Sequence, residues 1–502
     1  MDSNVNVRIT ILGLVATLLS GMAFYYGTGL HPQWWLMWVA ALPILLLAHR
    51  LSLGRTFCMA VAARFLGFLS LWRYYRQYVR LPLLPTLENL LGPAVVFALA
   101  VLLFRSFFRR GRVWVWLAVL AFPTVIVVYQ FFTDRVFGTF GNTGYTQLNN
   151  LPVLQLASLT GLSGIGFTVM LFAPAVAAAI LSRGVTRRRL WFVLAGFMAC
   201  VLGFGTWRLQ ATPRAPHTVV VGLVSTEFPN NIFPSTNPQK TQLLKGYAAQ
   251  ARALAARGAK IVVLPEMSVL VSGSLSNEAD HLFEQTAREA HAQILLGVIH
   301  VTPHAAYNEA RLYSASGQIE AVYRKRHLVP VLEGRTTPVR DVSVLDQPEG
   351  TLGLVICRDM DYPDPARTYG KDNVGLLLVP AWDFNIDRFW HGHMALMRGV
   401  EYGYSIVRSA KMGFLTVSDD CGRVLAEAST TPDTPFATLL ASVPVRHAWT
   451  LYQTLGDWFA WLNVALLCGL ALLAILGRRK PSVNVPKAQS DRISAEPVIN
   501  AR

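Results

Sequence analysis

Three side chains that together could perform nucleophilic catalysis follow short apolar runs in the chain. Glu266 follows Ile-Val-Val-Leu-Pro, Lys325 follows Ile-Glu-Ala-Val-Tyr-Arg, and Cys357 follows Leu-Gly-Leu-Val-Ile. Short runs rich in Val and Ile are typical of buried strands, so each side chain is predicted at or just past a strand end. A cysteine nucleophile needs a base that accepts its proton and a positive group that faces the oxyanion. A carboxylate, an ammonium and a thiol are the minimum set for that chemistry.

The segment that carries these residues has the pattern of one α/β domain. Between Gln210 and about Gly456 it alternates short Val/Ile/Leu runs with amphipathic stretches, which favours strands that alternate with helices. Strands are predicted at 218–225, 260–264, 293–301, 310–315, 319–323, 351–356, 374–379 and 404–408. Helices are predicted at 239–257, 279–291 and 389–400.

The composition indicates that this domain belongs to a membrane protein. Hydrophobic residues make up 53% of the 502 residues, charged residues 15%, and mean hydropathy is +0.38. A helix needs roughly 20 apolar residues to cross about 30 Å of hydrocarbon. About eight stretches are predicted as spans, at about Val7–Tyr26, Trp34–Ala48, Thr56–Leu71, Leu90–Phe107, Val113–Phe132, Val153–Leu181, Leu190–Trp207 and Trp458–Leu476. The first is interpreted as a retained span because no signal-peptide cleavage site follows it.

Four regions are therefore predicted along the chain. Residues 1–209 form a transmembrane helix bundle of about seven spans, and 210–455 form the catalytic domain. Residues 456–480 form a C-terminal transmembrane helix. The polar tail 481–502 lacks apolar periodicity and is predicted to be disordered.

The distribution of positive charge predicts the orientation in the membrane. With a cytoplasmic N-terminus, the predicted inner loops and the tail hold most of the basic loop residues: Arg50, Arg55, Arg105, Arg109, Arg110, Arg112, Arg183, Arg187, Arg188, Arg189, Arg478, Arg479, Lys480 and Lys487. The predicted outer loops hold only Arg73, Arg76, Arg80 and Arg135. The positive-inside rule then places the catalytic domain outside the cytoplasm. Much of the net charge of +16 is explained by topology, and no basic groove with interleaved aromatic residues indicates nucleic-acid binding.

The cysteines leave two interpretations open for Cys357. Of five cysteines, Cys58, Cys200 and Cys468 fall in predicted spans, so Cys357 and Cys421 remain in the outer domain. They could form a disulfide in an oxidising compartment, or Cys357 could be the nucleophile. No metal-ligand spacing and no phosphate-binding glycine loop is present, so no metal and no cofactor are predicted. His391 and His393 point to different faces of a predicted helix and are interpreted as solvated.

The motifs around Glu266, Lys325 and Cys357 resemble those of the nitrilase, or carbon-nitrogen hydrolase, superfamily. All three occur in the order of that family, separated by 325 − 266 = 59 and 357 − 325 = 32 residues. The resemblance implies an αββα sandwich in which Glu266 is the general base, Lys325 faces the oxyanion and Cys357 is the nucleophile. It also implies a further carboxylate after the lysine, which matches Glu333.

The arrangement of a multi-span bundle, this domain and a final span resembles the apolipoprotein N-acyltransferase family. Two segments support the resemblance: residues 144–161, with Gly-Tyr-Thr-Gln and Gln-Leu-Ala-Ser-Leu-Thr-Gly, and residues 397–408, with Arg398, Glu401 and Arg408. The resemblance implies that a phospholipid donates an acyl chain, which Cys357 carries as a thioester to the α-amino group of a diacylglyceryl-cysteine apolipoprotein. It also implies a multi-pass protein of the bacterial inner membrane with a periplasmic catalytic domain; a monomer is expected.

Several residues are predicted to support the site. Trp382 and Phe384 could border the acyl chain or pack in the core, and Phe228 could contact the acyl chain or the membrane. Where that family usually has Tyr-Glu after the cysteine, this chain has Arg358-Asp359. Arg358 could bind a lipid phosphate or pair with Asp359 or Asp361, and Arg408 could be structural.

Two other functions remain open at the level of the sequence. A membrane-anchored carbon-nitrogen hydrolase of the amidase or nitrilase type would use water as the acceptor. A non-catalytic scaffold, or a transporter-like bundle with a degenerate domain, would not need Glu266, Lys325 and Cys357 together, so their presence argues against that interpretation.

Overall fold

The computed structural model of the protein describes residues 2–211, 217–227, 236–329, 333–432 and 434–476. The tail 481–502, predicted to be disordered, and Phe228 lie outside the described residues.

The first described region is a helix bundle. Its helices are α1 (Asp2–Gly27), α2 (Leu36–Val39), α3 (Leu42–Ala48), α4 (Leu53–Phe68), α5 (Leu83–Phe108), α6 (Val115–Phe137), α7 (Leu151–Leu154), α8 (Ala157–Leu181) and α9 (Gly184–Ala211).

Seven of the described helices are long and apolar enough to cross a membrane, where about eight spans were predicted. The predicted second span consists of the short helices α2 and α3. A Cβ on Gly27 would lie 3.2 Å from Leu36 Cβ, and one on Gly13 would lie 3.8 Å from Leu51 Cδ2. The segment that contains α2 and α3 therefore runs antiparallel to α1. It extends along 27 − 13 = 14 residues of α1, a length of about 21 Å at 1.5 Å per residue. Outward-facing apolar residues such as Leu18, which is 57% exposed, give the bundle a lipid-compatible surface.

The second region contains two β-sheets. The first has strand order β13-β1-β2-β4-β5-β6, with β3 paired to β4, and the second has order β12-β11-β10-β9-β8-β7. The strands are β1 (Thr218–Ser225), β2 (Ile261–Val263), β3 (Val269–Ser272), β4 (Gln293–Val301), β5 (Ala306–Tyr313), β6 (Ile319–Arg324), β7 (Ser343–Gln347), β8 (Gly350–Leu354), β9 (Leu376–Trp382), β10 (Ser405–Lys411), β11 (Phe414–Ser418), β12 (Val424–Ser429) and β13 (Ala437–Pro444). The helices are α10 (Asn237–Ala256), α11 (Ser274–Ala290), α12 (Pro363–Lys371), α13 (Arg388–Tyr402), α14 (Leu451–Leu455) and α15 (Trp458–Leu476).

The two sheets pack face to face and helices cover their outer faces. Apolar side chains from both sheets, including Leu223, Val263, Leu354 and Val407, form one buried core. A second core lies between the first sheet and helices α10 and α11. Because α12 and α13 pack on the second sheet, the domain is an αββα sandwich, as predicted.

Helix α13 lies between the second sheet and the membrane bundle. Its residues Trp390, Met394 and Met397 share a core with the bundle, whereas Ala395 and Leu396 share a core with the sheet. Trp390, Met394 and Met397 are spaced by four and three residues, which puts them on one side of the helix. One helix layer of the sandwich is therefore also the surface on which the bundle rests.

Candidate active site

The edge of the sandwich at which β2, β6 and β8 end holds the three predicted catalytic residues. Glu266 follows β2, Lys325 follows β6 and Cys357 follows β8. The Lys325 N–H donates to the Asn308 carbonyl at 2.9 Å, and the Glu266 N–H donates to the Ala381 carbonyl at 3.3 Å. The second bond joins the two sheets, so the backbone itself holds residues from both sheets close together.

A buried cluster of charges forms at this edge. Lys325 Nζ lies 2.7 Å from Glu266 Oε1 and 2.8 Å from Glu333 Oε2. Asn308 Nδ2 donates to Glu266 Oε1 and to Glu333 Oε1, each at 2.6 Å. All four residues are buried, so the ammonium and the amide are the groups that stabilise two carboxylates away from water.

The cluster separates the pKa values of its two carboxyl groups. Burial raises the pKa of Glu266, and repulsion from Glu333 adds to this, while Lys325 and Asn308 oppose it. Burial also acts against the charge of Glu333, but Lys325 and the Val329 N–H outweigh it and lower the pKa of that carboxyl. Burial disfavours the Lys325 ammonium, yet the two carboxylates hold its pKa well above the ordinary value. Glu266 is thus the better proton acceptor of the pair.

Cys357 is held in a conformation that few residues other than glycine adopt. Its φ is +43°, in the left-handed region that is costly for a side chain with a Cβ. The thiol donates to the Trp382 carbonyl at 3.5 Å. Burial, followed by the negative charge of Glu266, raises its pKa well above the ordinary value, while Lys325 and Arg408 oppose the shift. The resting thiol therefore keeps its proton and needs a base to become a nucleophile.

The alternative interpretation of Cys357 as half of a disulfide is wrong for this structure. Within the described residues no disulfide joins any of the cysteines, and Cys357 is not bonded to Cys421. Cys421 is buried in a separate turn, where its N–H donates to Asp419 Oδ1 at 2.9 Å. Cys357 is therefore available for chemistry.

An ion pair lies on the other side of Cys357. Arg408 donates to the two oxygens of Asp383 at 2.9 and 2.6 Å, and both side chains are buried. Asp383 immediately follows β9, and Arg408 lies within β10. The pair joins the end of β9 to the middle of the neighbouring β10 and places a guanidinium near the thiol, where it opposes the rise in the pKa of Cys357.

A cavity of about 350 Å³ opens in front of Cys357. Glu266, Lys325 and Glu333 line it on the side of the α/β domain. Trp382 and Phe384, for which the sequence left an acyl-chain contact or core packing open, line it as well. The opposite wall comes from the membrane bundle and its connections, through Tyr74, Tyr75, Val79, Leu81, Phe137 and Phe140. The reacting groups therefore face a largely apolar space between the two regions of the protein.

The two residues that stand in place of Tyr-Glu, Arg358 and Asp359, have different surroundings in the structure. Asp359 does not line the cavity: its carboxylate accepts from the Tyr323 hydroxyl at 2.8 Å and the His327 N–H at 2.7 Å. It thus holds the backbone just after Lys325. Arg358 lines the cavity and makes no ion pair with Asp359 or Asp361 within the described residues.

Two polar residues of the site were not predicted. Asn308 lies within β5 and carries no motif around it. His391 was interpreted as solvated, which is wrong: it lines the cavity and its ring nitrogen lies 2.7 Å from Asp387 Oδ2. Burial disfavours its charge, but Asp387 raises the pKa of His391 to about 9. The spacing of Asp387 and His391, four residues apart on a helix, was a signal that could have indicated this pair.

Comparison with known proteins finds a matching family for the helix bundle and for the α/β region of the chain. The family model described as carbon-nitrogen hydrolase matches residues 230–445, and the apolipoprotein N-acyltransferase N-terminal domain matches residues 20–175. A protein of Geobacter metallireducens called apolipoprotein N-acyltransferase is 24% identical, over 95% of this chain and 96% of its own length. Another of that name, from Bradyrhizobium diazoefficiens, is 28% identical over 67% of this chain and 70% of its own.

Solved structures resemble the α/β domain. The amidase from Nesterenkonia sp. is 20% identical, with a TM-score of 0.41, over 50% of this chain and 97% of its own. The two family models match opposite ends of the chain in one order, with the membrane helices first and the sandwich second. By this combination of domains, the chain belongs to the apolipoprotein N-acyltransferase family, a membrane-bound part of the carbon-nitrogen hydrolase superfamily.

Proposed function

We propose that the protein transfers an acyl chain from a phospholipid to the α-amino group of a diacylglyceryl-cysteine at the N-terminus of apolipoproteins. Cys357 carries the chain between the two lipids as a thioester. The protein acts as a monomer in the bacterial inner membrane, with its catalytic domain on the periplasmic side, as the distribution of basic loop residues favours.

One observation carries the proposal furthest. The cavity in front of Cys357 has the charged groups of a carbon-nitrogen hydrolase on one wall and aromatic residues of a membrane bundle on the other. Both proposed substrates have hydrocarbon chains that favour the bilayer. A site between the bundle and the domain can receive their ester and amine groups without taking their chains fully into water.

In the first half-reaction the thiol becomes an acyl thioester. Glu266 accepts the Cys357 proton, and sulfur attacks the carbonyl carbon of the phospholipid ester, forming a carbon–sulfur bond. Lys325 stabilises the negative charge that develops on the carbonyl oxygen. The carbon–oxygen bond of the ester then breaks, Glu266 returns the proton to the leaving oxygen, and a lysophospholipid departs.

In the second half-reaction the thioester is consumed by an amine. Glu266 accepts a proton from the lipoprotein amine as nitrogen attacks the thioester carbonyl, and a carbon–nitrogen bond forms. The carbon–sulfur bond breaks and the thiolate regains a proton from Glu266. Glu333 keeps Lys325 in place throughout, because it binds the same ammonium. Two chemically separate steps on one sulfur predict ping-pong kinetics.

Intact-mass measurement of the purified protein after incubation with mixed phospholipids tests the first step. We expect a gain equal to one acyl group minus a proton on Cys357, and no gain in Cys357→Ala. Addition of a peptide with an N-terminal diacylglyceryl-cysteine should then remove the adduct and produce an N-acylated peptide. A folded protein that never gains an acyl mass from any phospholipid contradicts the proposal.

The same experiment separates transfer from hydrolysis. A membrane-anchored amidase or nitrilase would turn over a soluble amide without lipid and would release a free acid. Release of free fatty acid at the same rate with and without the diacylglyceryl peptide would favour water as the acceptor and count against acyl transfer.

A further inference from the structure

A second cavity lies inside the helix bundle and adjoins the active site. Its volume is about 540 Å³, larger than the cavity in front of Cys357. The two cavities share Tyr75, Leu81, Phe137, Phe140 and Arg358 in their linings. The remaining wall comes mainly from α4, α5 and α6. The reacting thiol and the interior of the bundle are thus separated by side chains that border both spaces.

Arg64 of α4 is the most unusual residue of this second cavity. It lies in a predicted membrane span and is only 7% exposed. Its guanidinium carbon lies 4.5 Å from the centroid of the Phe24 ring and 4.0 Å from that of Phe68. Within the described residues it has no ion pair, and its Nη1 has no hydrogen-bond partner. A buried cation with an unsatisfied donor in the hydrocarbon layer is costly unless something pairs with it.

Arg358 is the second cation of this cavity without an acidic partner in the described part of the chain. Its guanidinium donates only to neutral oxygens: the Leu328 carbonyl, the Phe137 carbonyl at 3.4 Å and the Tyr362 hydroxyl at 3.3 Å. By contrast, Lys325, His391 and Arg408, the other cations of the active-site cavity, all lie beside carboxylates. Arg358 borders both cavities, so it can receive an anion at their junction.

We infer that the bundle cavity binds the phospholipid acyl donor, with Arg358 and Arg64 as the binding groups for its phosphodiester. This inference rests on the proposed function and adds to it a site for one of the two substrates. Guanidinium groups bind phosphate oxygens with strong, charge-assisted hydrogen bonds. The apolar lining, which includes Phe24, Phe68 and Phe97, suits the acyl chain that is not transferred.

The carboxylates that line the bundle cavity do not occupy its two arginines. Asp134 lines it, but its Oδ2 accepts from Asn142 Nδ2 at 2.6 Å, and Glu88 lies where α5 is exposed. Neither forms an ion pair with Arg64 or Arg358 in the described structure. A phosphodiester is therefore the group that would pair with these two guanidinium groups, which lack an acidic partner in the described residues.

The phosphate distinguishes the donor from the acceptor. A diacylglyceryl-cysteine carries two acyl chains but no phosphate, so it gains nothing from Arg64 and Arg358. The two arginines should therefore affect formation of the acyl-enzyme and leave its reaction with the amine unchanged. A role confined to folding would affect both half-reactions through the amount of active protein.

Native mass spectrometry of the full chain in detergent, carrying Cys357→Ala so that no acyl transfer occurs, tests the binding directly. The probes are phosphatidylglycerol and diacylglycerol with the same two acyl chains. We expect the protein to retain phosphatidylglycerol at least about tenfold more strongly, and Arg64→Gln or Arg358→Gln to lower that preference about tenfold each, as loss of one charge-assisted bond predicts. Arg64→Lys should keep part of the preference.

Arg55→Gln is the matched control, because Arg55 lies on the same helix as Arg64 but is exposed and lines neither cavity. It should bind both lipids as the unmodified protein does. Equal retention of the two lipids, or an unchanged preference in both Arg64→Gln and Arg358→Gln, would overturn the inference. If Arg64→Gln lowers the unfolding temperature, its lipid preference also reflects folding. The lipid preferences of Arg358→Gln and Arg64→Lys then test the inference.

The binding result and the proposed function can fail separately. Retention of phosphatidylglycerol does not require any reaction at Cys357, so it can be observed even if no acyl-enzyme forms. Conversely, an acyl adduct that forms equally well from phosphatidylglycerol and diacylglycerol in the protein with Cys357 intact would support acyl transfer and contradict the phosphate site.

Discussion

At the scale of single residues, two neighbouring carboxyl groups of the candidate site have different surroundings. Glu266 and Glu333 both contact Lys325 and Asn308. Glu333 also receives the Val329 N–H at 2.8 Å, which stabilises its ionised form. Glu266 has no such backbone donor in the described structure and its pKa is raised. The residue with the higher pKa is the better general base near neutral pH.

Glu266→Gln should slow formation of the acyl-enzyme by about 10²–10⁴-fold, the usual contribution of a general base. Only the ionised carboxylate accepts a proton, so the rate in the unmodified protein should rise with pH through the raised pKa of Glu266. The fall in rate at low pH, which is the acidic limb of the pH profile, should be absent in Glu266→Gln. Single-turnover intact mass at several pH values measures both effects. Glu278→Gln, on an exposed part of α11, is the control, and a normal rate in Glu266→Gln would rule out its role as base.

Asn308→Leu should move the acidic limb to higher pH. The amide donates to both carboxylates, and its loss removes a bond that favours their charged forms. A hydrogen bond to a charged group contributes about 1.5–3 kcal/mol, so the limb should shift by roughly one to two pH units. The pH profile of acyl-enzyme formation measures the shift, and the rate at high pH should fall much less. An unmoved profile would show that Asn308 does not act on Glu266.

At the scale of elements, the close approach of a strand to a loop positions the base. Gly297 of β4 lies against the turn after β2, where a Cβ would clash with the Pro265 carbonyl oxygen and lie 2.8 Å from Glu266 Cα. The neighbouring Ser268 N–H donates to the Gly297 carbonyl at 2.9 Å. The turn thus rests directly on strand backbone, and no side chain can be accommodated between them.

Gly297→Ala should therefore lower activity more than it lowers the amount of folded protein. Overpacking of this kind costs about 1–3 kcal/mol and would move the backbone of Glu266 away from Lys325. Thermal unfolding and acyl-enzyme formation per folded molecule separate the two effects. Gly196→Ala is the control, because a Cβ there would meet nothing within 4 Å. Full activity in Gly297→Ala would mean that the turn can relax without displacing the base.

At the scale of the whole molecule, one buried arginine joins the sandwich to the bundle. Arg398 of α13 donates to the Thr139 hydroxyl at 3.0 Å and to the Met360 carbonyl at 2.9 Å. It also pairs with Glu401, whose Oε1 accepts the Leu162 N–H at 3.2 Å. The connection between α6 and α8 is thereby fixed to the turn that follows Cys357. Arg398 and Glu401, which belong to the segment 397–408, therefore help to hold the membrane bundle against the α/β sandwich.

Arg398→Leu should destabilise the protein by about 3–5 kcal/mol, because it leaves the buried Glu401 without its partner. Arg398→Leu combined with Glu401→Leu should recover part of this loss. Thermal unfolding in detergent measures the difference. Arg388→Leu, at the other end of the same helix, removes an exposed bond to Ser429 Oγ of 2.9 Å and a contact with the Phe414 ring, 5.5 Å from its centroid, and should change stability much less. Equal stability of Arg398→Leu and Arg388→Leu would contradict a joining role for Arg398.

The orientation of the whole molecule is also testable. In a protein whose native cysteines are replaced, Ser316→Cys and Arg187→Cys place single thiols at exposed positions of the domain and of the first turn of α9. We expect a membrane-impermeant thiol reagent added to spheroplasts to label the first position only. Labelling at Arg187→Cys alone would reverse the proposed topology.

Much of the local structure could be predicted because its signals lie within short segments. Strands β1 and β4 have the predicted bounds, since runs of Val, Ile and Leu indicate buried strands without knowledge of their neighbours. Strands β3, β7, β11, β12 and β13 and helices α12 and α14 were missed. Three of these strands, β7, β12 and β13, have exposed or half-buried faces, so their residues do not stand out by hydrophobicity.

The sequence alone determined the membrane setting, because membrane spans are long apolar runs, and it indicated the proposed chemistry, because Glu266, Lys325 and Cys357 lie in recognisable motifs. Only the tertiary structure decided which groups meet them. Asn308, His391 and Arg64 become notable through contacts with residues far away in the chain, and no local pattern records such contacts. Burial likewise arises from packing of distant segments, so the difference between the pKa values of Glu266 and Glu333 could not be read from their motifs.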